Sequence, residues 1–138
     1  MKAEFKSMTG QKSQRPHRKL LAWQKNIDLV TYLYEATGKF PQDERYGLIS
    51  QIRRAAVSVP SNIAEGAVGR SPEHFKVYLA HSLGSLSELD TQIEIVRRLG
   101  YLTPEACSHL EQKVAECTDL VSGLKKSLSR PPAQSPIT

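Results

Sequence analysis

A proline lies within an amphipathic helical pattern at residues 51–66, and this feature constrains the fold of the chain most strongly. Apolar side chains recur there at intervals of three and four residues, which predicts a helix with one buried face. Pro60 lacks a backbone N–H and crowds the carbonyl four residues earlier, so it kinks or breaks the helix. Ser58, Ser61 and Asn62 flank this point, and we expect them to hydrogen bond with the backbone groups that Pro60 frees. The apolar positions are Leu48, Ile52, Ala55, Val59 and Ile63.

Three other segments have the same helical spacing, and no segment alternates as a strand does. The predicted helices cover residues 20–37, 43–65, 72–99 and 104–128. Ser71-Pro72 and Thr103-Pro104 are typical helix starts, and Gly38 and Gly100 suit the left-handed position after a helix end. Because the links are short, consecutive helices should be antiparallel neighbours. The sequence therefore predicts an all-α fold, an up-down antiparallel four-helix bundle with a kinked second helix.

The first helix carries more apolar side chains than one buried face needs. We expect its buried stripe to consist of Leu20, Trp23, Ile27, Val30 and Tyr34. Leu29 and Leu33 then lie beside this stripe, and Ile49 and Ala56 lie beside the stripe of the second helix. A monomeric bundle needs only one apolar stripe per helix. The surplus predicts a homo-oligomer.

The net charge of the chain is +5, and all of it falls within residues 1–19, because the remaining residues sum to zero. The positive side chains of this segment are Lys2, Lys6, Lys12, Arg15, Arg18 and Lys19. We predict a disordered basic N-terminal tail at residues 1–19, the bundle at residues 20–128, and a disordered Pro-rich tail at residues 129–138. A mobile basic arm can bind nucleic acid or an acidic surface. The alternative is a solvated tail without a ligand.

Arg53 and Arg54 are adjacent on the second helix and therefore point about 100° apart. One interpretation is contact with the phosphates of a nucleic acid, as arginine forks commonly make. The other is an ion pair within the chain or between subunits, for example with Glu65 or Glu88.

No pattern for catalysis, metal binding or cofactor binding stands out. His17, His74, His81 and His109 lack the Glu-x-x-His spacing of a di-metal bundle, and we expect them at the surface. Cys107 and Cys117 lie on the apolar stripe of the last helix, where a free thiol packs as a small hydrophobe. We therefore expect no enzyme. The chain has no run long enough for a membrane span and no apolar signal-peptide core, so we expect it in the cytoplasm.

Several stretches resemble a known bacterial family. They are Leu21-Ala22-Trp23-Gln24, Phe40-Pro41 with Glu44 and Tyr46-Gly47-Leu48, residues 51–66, Gly84-Ser85-Leu86-Ser87-Glu88-Leu89, and Leu99-Gly100-Tyr101-Leu102. Together they resemble the four-helix bundle proteins encoded in intervening sequences of 23S ribosomal RNA genes. That family is similar to the accessory variability proteins of diversity-generating retroelements. The resemblance covers about residues 20–128, and Pro60, Asn62, Glu65 and Gly66 belong to its most specific stretch.

The resemblance implies a cytoplasmic bundle that assembles as a ring of five subunits. For the retroelement relatives it also implies binding of RNA or DNA and of a reverse transcriptase through a basic surface. In this chain the bundle itself is neutral, so the N-terminal residues and Arg53 and Arg54 are the candidate nucleic-acid contacts. We expect a non-enzymatic homopentamer that acts as a nucleic-acid or ribonucleoprotein accessory factor. The alternative is a protein-interaction scaffold without nucleic-acid binding.

Overall fold

The structure, a computed structural model, describes residues 15–69 and 71–129 of the chain. Four long α-helices and two short 3-10 helices make up this part, which contains no strand. The long helices are α1 (Leu21–Thr37), α2 (Leu48–Gly66), α3 (Pro72–Leu99) and α4 (Pro104–Ser127). The 3-10 helices are Pro16–Lys19 and Gln42–Glu44. The predicted all-α class with four helices is confirmed.

The helices pack in chain order around one apolar core, and α4 closes the circle against α1. Two contacts show that α2 and α3 are antiparallel: Ser82 Oγ donates to the Val59 carbonyl at 2.9 Å, and Glu88, further along α3, pairs with Arg54, earlier on α2. At the α1–α4 seam, Cys117 Sγ lies 3.6 Å from the Lys25 carbonyl oxygen. The stripes predicted for α2, α3 and α4 supply most of the core. Its largest fully buried side chains include Ile52, Ile63, Leu79, Leu86, Leu89, Ile93, Val96 and Val121.

The buried face of α1 differs from the predicted one. Leu29 and Leu33 are buried in the core, whereas Ile27 and Tyr34 are 37% and 42% exposed. The true stripe also contains two polar residues, which is why hydrophobic spacing pointed to the wrong face. Each satisfies a backbone carbonyl of its own helix: Asn26 Nδ2 donates to Ala22 and Thr37 Oγ1 to Leu33. Leu29 and Leu33, like Ala56 of α2, are therefore buried in the core and are not surplus surface for assembly. The buried residues of α1 are Ala22, Asn26, Leu29, Leu33 and Thr37.

Pro60 lies inside α2, and the helix continues through it to Gly66. The alternative of a broken helix is therefore wrong, and the bend stays a prediction. Ser58 Oγ donates to the Ala55 carbonyl at 2.7 Å, and Asn62 Nδ2 donates to the Ser58 carbonyl at 2.8 Å. Ser58 also hydrogen bonds with Ser85 on α3. Among the described residues, neither the Ser58 nor the Asn62 side chain donates to the Ala56 carbonyl, from which Pro60 withholds a donor, so the expectation that they satisfy this group is wrong.

Two helix boundaries differ from the sequence prediction. The second helix begins at Leu48 rather than Asp43, because the preceding turn is a 3-10 helix and Glu44 Oε1 accepts the Leu48 N–H at 3.1 Å. Gly38 is right-handed, with φ −63°, and not left-handed as predicted. Gly100 does take the left-handed conformation, with φ 72°.

The basic segment becomes ordered earlier than predicted. Residues 16–19 form a 3-10 helix that contacts α1 and α2, so the prediction of disorder is wrong for these four residues. Lys2, Lys6, Lys12 and the Pro-rich residues 130–138 lie outside the described residues. Within the described ranges, none of the helices has the length and apolarity needed to cross a membrane.

Candidate nucleic-acid interface

The last part of the basic segment is held against the start of α1 by aromatic contacts. The guanidinium carbon of Arg18 lies 5.3 Å from the ring centre of Trp23, and the His17 ring packs edge-on against the same indole at 5.1 Å. Gln24 Nε2 donates to the Arg18 carbonyl at 2.8 Å. Arg15 and Lys19 are exposed and form no ion pair with any residue of the described part. Arg15 and Lys19 are thus free cations on a segment that is held in place by its contacts with Trp23 and Gln24.

His17 does not add to this positive charge at neutral pH. Burial, together with the neighbouring charges of Arg18 and Arg15, lowers the pKa of the His17 imidazole. The neutral ring packs on Trp23 as an apolar group would. Electrostatic attraction here therefore depends on the arginine and lysine side chains.

An apolar groove of about 290 Å³ lies between α1 and α2 beside this segment. It brings Trp23 of the first motif stretch together with Pro60 of the central one. This Trp23–Pro60 groove is lined by His17, Trp23, Ile27, Val30, Val57, Pro60, Ser61 and Ala64. Because the side chains facing it are mostly apolar, it suits a protein segment better than a phosphate backbone.

Arg53 has a structural role that neither interpretation of the sequence included. Its Nε donates to Thr37 Oγ1 at 2.8 Å, and its Nη2 donates to the Tyr34 carbonyl at 3.1 Å. The guanidinium carbon also lies 4.4 Å from the ring centre of Tyr34. Arg53 therefore binds the last turn of α1, where free carbonyls favour a positive charge. Two of its three nitrogens, Nε and Nη2, thus donate within the chain.

Three other arginines of the bundle, Arg54, Arg97 and Arg98, are also paired. Arg54 Nη2 lies 3.5 Å from Glu88 Oε2, which is one of the two ion pairs considered above. Arg97 makes a bidentate contact with Glu111 at 2.7 and 2.8 Å and a further contact with Glu94. These carboxylates raise the pKa of Arg97, and Arg98 also pairs with Glu94. Unlike Arg15 and Lys19, the arginines Arg53, Arg54, Arg97 and Arg98 each have a partner within the chain.

Of the two remaining motif residues, Gly66 takes part in helix packing and Glu65 does not. Gly66 ends α2 where α3 approaches closely: a Cβ there would lie 2.8 Å from Phe75 Cδ1 and 2.9 Å from Tyr78 Cβ. Glu65 is exposed and makes no ion pair with Arg53 or Arg54 among the described residues. Gly84 faces open space, whereas Ser82 and Ser85 make the close contacts with α2.

Sequence reasoning missed an aromatic ladder on α3. His74 packs against Tyr78 at a ring distance of 4.8 Å, and Tyr78 packs against His81 at 5.8 Å. The three rings follow each other at intervals of four and three residues, so helical spacing could have revealed them. Lys76, on the same two turns, reaches Ser129 after α4 with an Nζ–Oγ distance of 3.4 Å. The start of α3 and the end of α4 therefore lie at the same end of the bundle.

The two cysteines are buried free thiols, as predicted. Burial raises the pKa of Cys117 to about 11, and burial also raises the pKa of Cys107. Both thiols therefore stay protonated and unreactive near neutral pH. In the part of the chain that the structure covers, no three His, Cys, Asp or Glu side chains converge as a metal site would require.

Comparisons with known proteins agree with the motif stretches. The sequence profile of a family described as 23S rRNA-intervening sequence protein matches residues 18–123. A crystal structure at 1.70 Å of a protein of unknown function, from the S23 ribosomal protein family of Bacteroides thetaiotaomicron VPI-5482, has a similar fold. Its TM-score is 0.71 at 20% sequence identity, covering 77% of this chain and 96% of that one. Among curated proteins, none matches the chain.

Proposed function

Because the chain belongs to the family of 23S rRNA-intervening sequence proteins, we propose that it is a non-enzymatic, homo-oligomeric accessory factor that binds nucleic acid in the cytoplasm. The observation that carries this proposal is the distribution of charge. All the net charge of +5 falls within residues 1–19, and Arg15 and Lys19 extend from a segment anchored on Trp23. Binding that neutralises phosphates draws its affinity from such unpaired cations.

The test compares binding of a fluorescein-labelled RNA by two variants of equal charge loss. The first variant replaces Lys2, Lys6, Lys12, Arg15 and Lys19 with glutamine and keeps Arg18, which packs on Trp23. The matched control replaces five cations of the opposite half of the bundle with glutamine. These are Lys39, Arg45, Arg54, Arg98 and Lys113.

Fluorescence anisotropy between 50 and 300 mM NaCl then gives the affinity and its salt dependence. We expect the first variant to reduce the steepness of the plot of log affinity against log salt by about 3.5, because each of the five phosphate contacts contributes about 0.7. The control should stay close to the native chain. Equal losses in the two variants, or no binding by the native chain at 50 mM NaCl, would contradict the proposal.

We propose further that the chain assembles as a homopentameric ring, as the family resemblance implies. Exposed apolar side chains on the outer surface support assembly: Ile27 on α1 and Val57 on α2 border the Trp23–Pro60 groove, and Ile95 and Leu99 are exposed on α3. In a ring, five basic segments act together and raise the avidity for one nucleic acid. Light scattering should give about 77 kDa, five times the chain mass of 15.4 kDa. A mass near 15 kDa at micromolar concentration would exclude the ring.

The second candidate function is a protein-interaction scaffold, and the Trp23–Pro60 groove is the observation that favours it. Its apolar lining suits a protein partner, and a reverse transcriptase is the partner that the resemblance implies. Such binding should change little with salt, since it buries apolar surface. Val57→Asp, which places a charge at the edge of the groove, should abolish partner binding, and light scattering of the variant shows whether the ring is kept. Partner binding by Val57→Asp that equals that of the native chain would contradict the scaffold function.

A further inference from the structure

Residues 15–20, the α2–α3 loop and the end of α4 lie at one end of the bundle. Four antiparallel helices place the start of α1, the end of α2, the start of α3 and the end of α4 together. The Lys76–Ser129 hydrogen bond joins two of these elements directly. We call this region, made up of residues 15–20, 63–69, 71–81 and 121–129, the basic end.

The basic end carries an excess of positive charge that the sequence analysis assigned to the N-terminal segment alone. It holds only two acidic residues, Glu65 and Glu73. Its six basic residues are Arg15, Arg18, Lys19, Lys76, Lys125 and Lys126. Lys76, Lys125 and Lys126 come from helices that otherwise contribute to a neutral bundle. The positive surface is therefore built from three parts of the chain.

The opposite end of the bundle has the reverse balance. Residues 34–50 and 93–108 hold four basic and five acidic residues. Two of the four basic residues, Arg97 and Arg98, are engaged by Glu94, and Arg97 also by Glu111. A polyanion approaching the bundle is attracted to one end and not to the other.

The aromatic ladder lies at the basic end and gives it a second property. His74, Tyr78 and His81 occupy the first turns of α3, with His81 exposed and the other two half-buried. Trp23, near the start of α1, lies against Arg18 of this end. An end that carries both cations and partly exposed rings suits single-stranded nucleic acids, because unpaired bases stack on rings while phosphates contact lysine and arginine. Bases within a duplex are not available for such stacking.

We infer that the basic end is a binding surface for single-stranded RNA, with phosphates on Lys76, Lys125 and Lys126 and bases stacked on the His74–Tyr78–His81 ladder. This inference rests on the proposed nucleic-acid function and narrows it to one surface and one class of ligand. The N-terminal segment then extends a surface that the folded bundle already provides.

The first experiment tests the lysines in the full chain with the N-terminal segment unchanged. The probe is a fluorescein-labelled single-stranded oligouridine of 20 nucleotides. The variant Lys76→Gln/Lys125→Gln/Lys126→Gln should lower the salt slope by about 2. The matched control, Lys39→Gln/Arg45→Gln/Arg98→Gln, removes the same charge from the opposite end and should behave as the native chain. Circular dichroism verifies that each variant keeps its helix content.

The second experiment tests the ladder with alanine variants of its two histidines, measured at pH 8. His74→Ala/His81→Ala should weaken oligouridine binding at least fivefold and leave binding of a 20-base-pair RNA duplex unchanged. His109→Ala, on α4 away from the basic end, is the control. Equal losses for oligouridine and duplex would overturn the stacking role.

The outcomes separate this inference from the proposed function. If the native chain binds oligouridine but the triple lysine variant binds it equally well, the inference fails and the nucleic-acid function stands. If the native chain binds neither RNA at low salt, both fail. Tighter binding of the duplex than of the oligouridine would overturn the assignment to single strands.

Discussion

The hydroxyl of Tyr101, in the α3–α4 loop, donates a 2.7 Å hydrogen bond to Glu44 Oε2, in the α1–α2 loop. The other carboxylate oxygen of Glu44 accepts the Leu48 N–H at the start of α2. The Tyr101 ring also packs on Phe40 at 5.4 Å. Two motif stretches that are 57 residues apart therefore meet at the end of the bundle opposite the basic end. These contacts hold the α1–α2 and α3–α4 loops together.

This contact predicts a pH dependence of stability. The Tyr101 hydroxyl first, and the Leu48 N–H second, hold the pKa of Glu44 below its ordinary value of 4.5. A carboxylate whose pKa is lowered by folding stabilises the fold above its unfolded pKa, and this contribution is lost as the pH falls through the folded pKa. Tyr101→Phe should therefore lower the free energy of unfolding most near neutral pH, with the difference from the native chain shrinking toward about pH 3.

Urea unfolding at several pH values measures this difference. Tyr46→Phe is the control, since the Tyr46 side chain is 88% exposed and its loss of a hydroxyl should change nothing. A Tyr101→Phe effect that is the same at about pH 3 and at neutral pH would show that the bond to the ionised carboxylate contributes nothing.

Two helical glycines should respond to alanine in opposite directions. Gly66→Ala places a methyl group 2.8 Å from Phe75 Cδ1, and we expect it to destabilise the fold by about 1–3 kcal/mol through overpacking. Gly84→Ala meets no atom within 4 Å and should stabilise α3 by about 0.5–1 kcal/mol through its higher helix propensity. Thermal unfolding of both variants gives the comparison. A Gly66→Ala variant as stable as the native chain would mean that the α2–α3 contact is looser than described.

The sequence predicted the helices of this fold well because apolar spacing and helix-start residues agree with each other. Ser71 Oγ accepts the His74 N–H at 3.0 Å and Thr103 Oγ1 accepts the Ala106 N–H at 3.1 Å, as their cap-plus-proline pattern indicates. The face of α1 was mispredicted because Asn26 is fully buried while Ile27, beside it, is exposed. The spacing of apolar residues cannot reveal that a polar side chain donates a hydrogen bond to a carbonyl of its own helix and is buried in the core.

The candidate site was predictable only in part, for a related reason. The sequence alone identified the basic residues 1–19, because the net charge of a segment can be counted without knowing its structure. Lys76 and Lys126 are 50 residues apart in the sequence and share the basic end only through the antiparallel order of α3 and α4. The role of Arg53 depends on its contacts with the last turn of α1. The residues next to Arg53 in the sequence do not predict these contacts.

Arg53 should matter for stability and not for nucleic-acid binding. Arg53→Gln removes the hydrogen bonds to Thr37 and to the Tyr34 carbonyl, and we expect a loss of about 1 kcal/mol in the free energy of unfolding. Arg54→Gln, the control, removes an exposed ion pair with Glu88 and should cost about 0.5 kcal/mol or less. An Arg53→Gln variant with native stability and weakened RNA binding would contradict this prediction and indicate that Arg53 contacts phosphates.

We predict that Pro60 affects the shape of α2, and that α2 forms a helix with or without it. The helix already continues through this position, so Pro60→Ala should leave the circular dichroism spectrum unchanged. It restores a backbone N–H and removes the ring that lines the Trp23–Pro60 groove. We expect light scattering to show weaker assembly at equal protein concentration. An identical mass distribution for the two proteins would exclude a role of Pro60 in assembly.

Ultraviolet cross-linking of the native chain to oligouridine, followed by mass spectrometry of the cross-linked peptides, tests the central claim most directly. The proposed binding surface predicts cross-links in peptides that contain Trp23 or the stretch from His74 to His81, at the basic end. Cross-links confined to residues 34–50 and 93–108, at the opposite end, would contradict it.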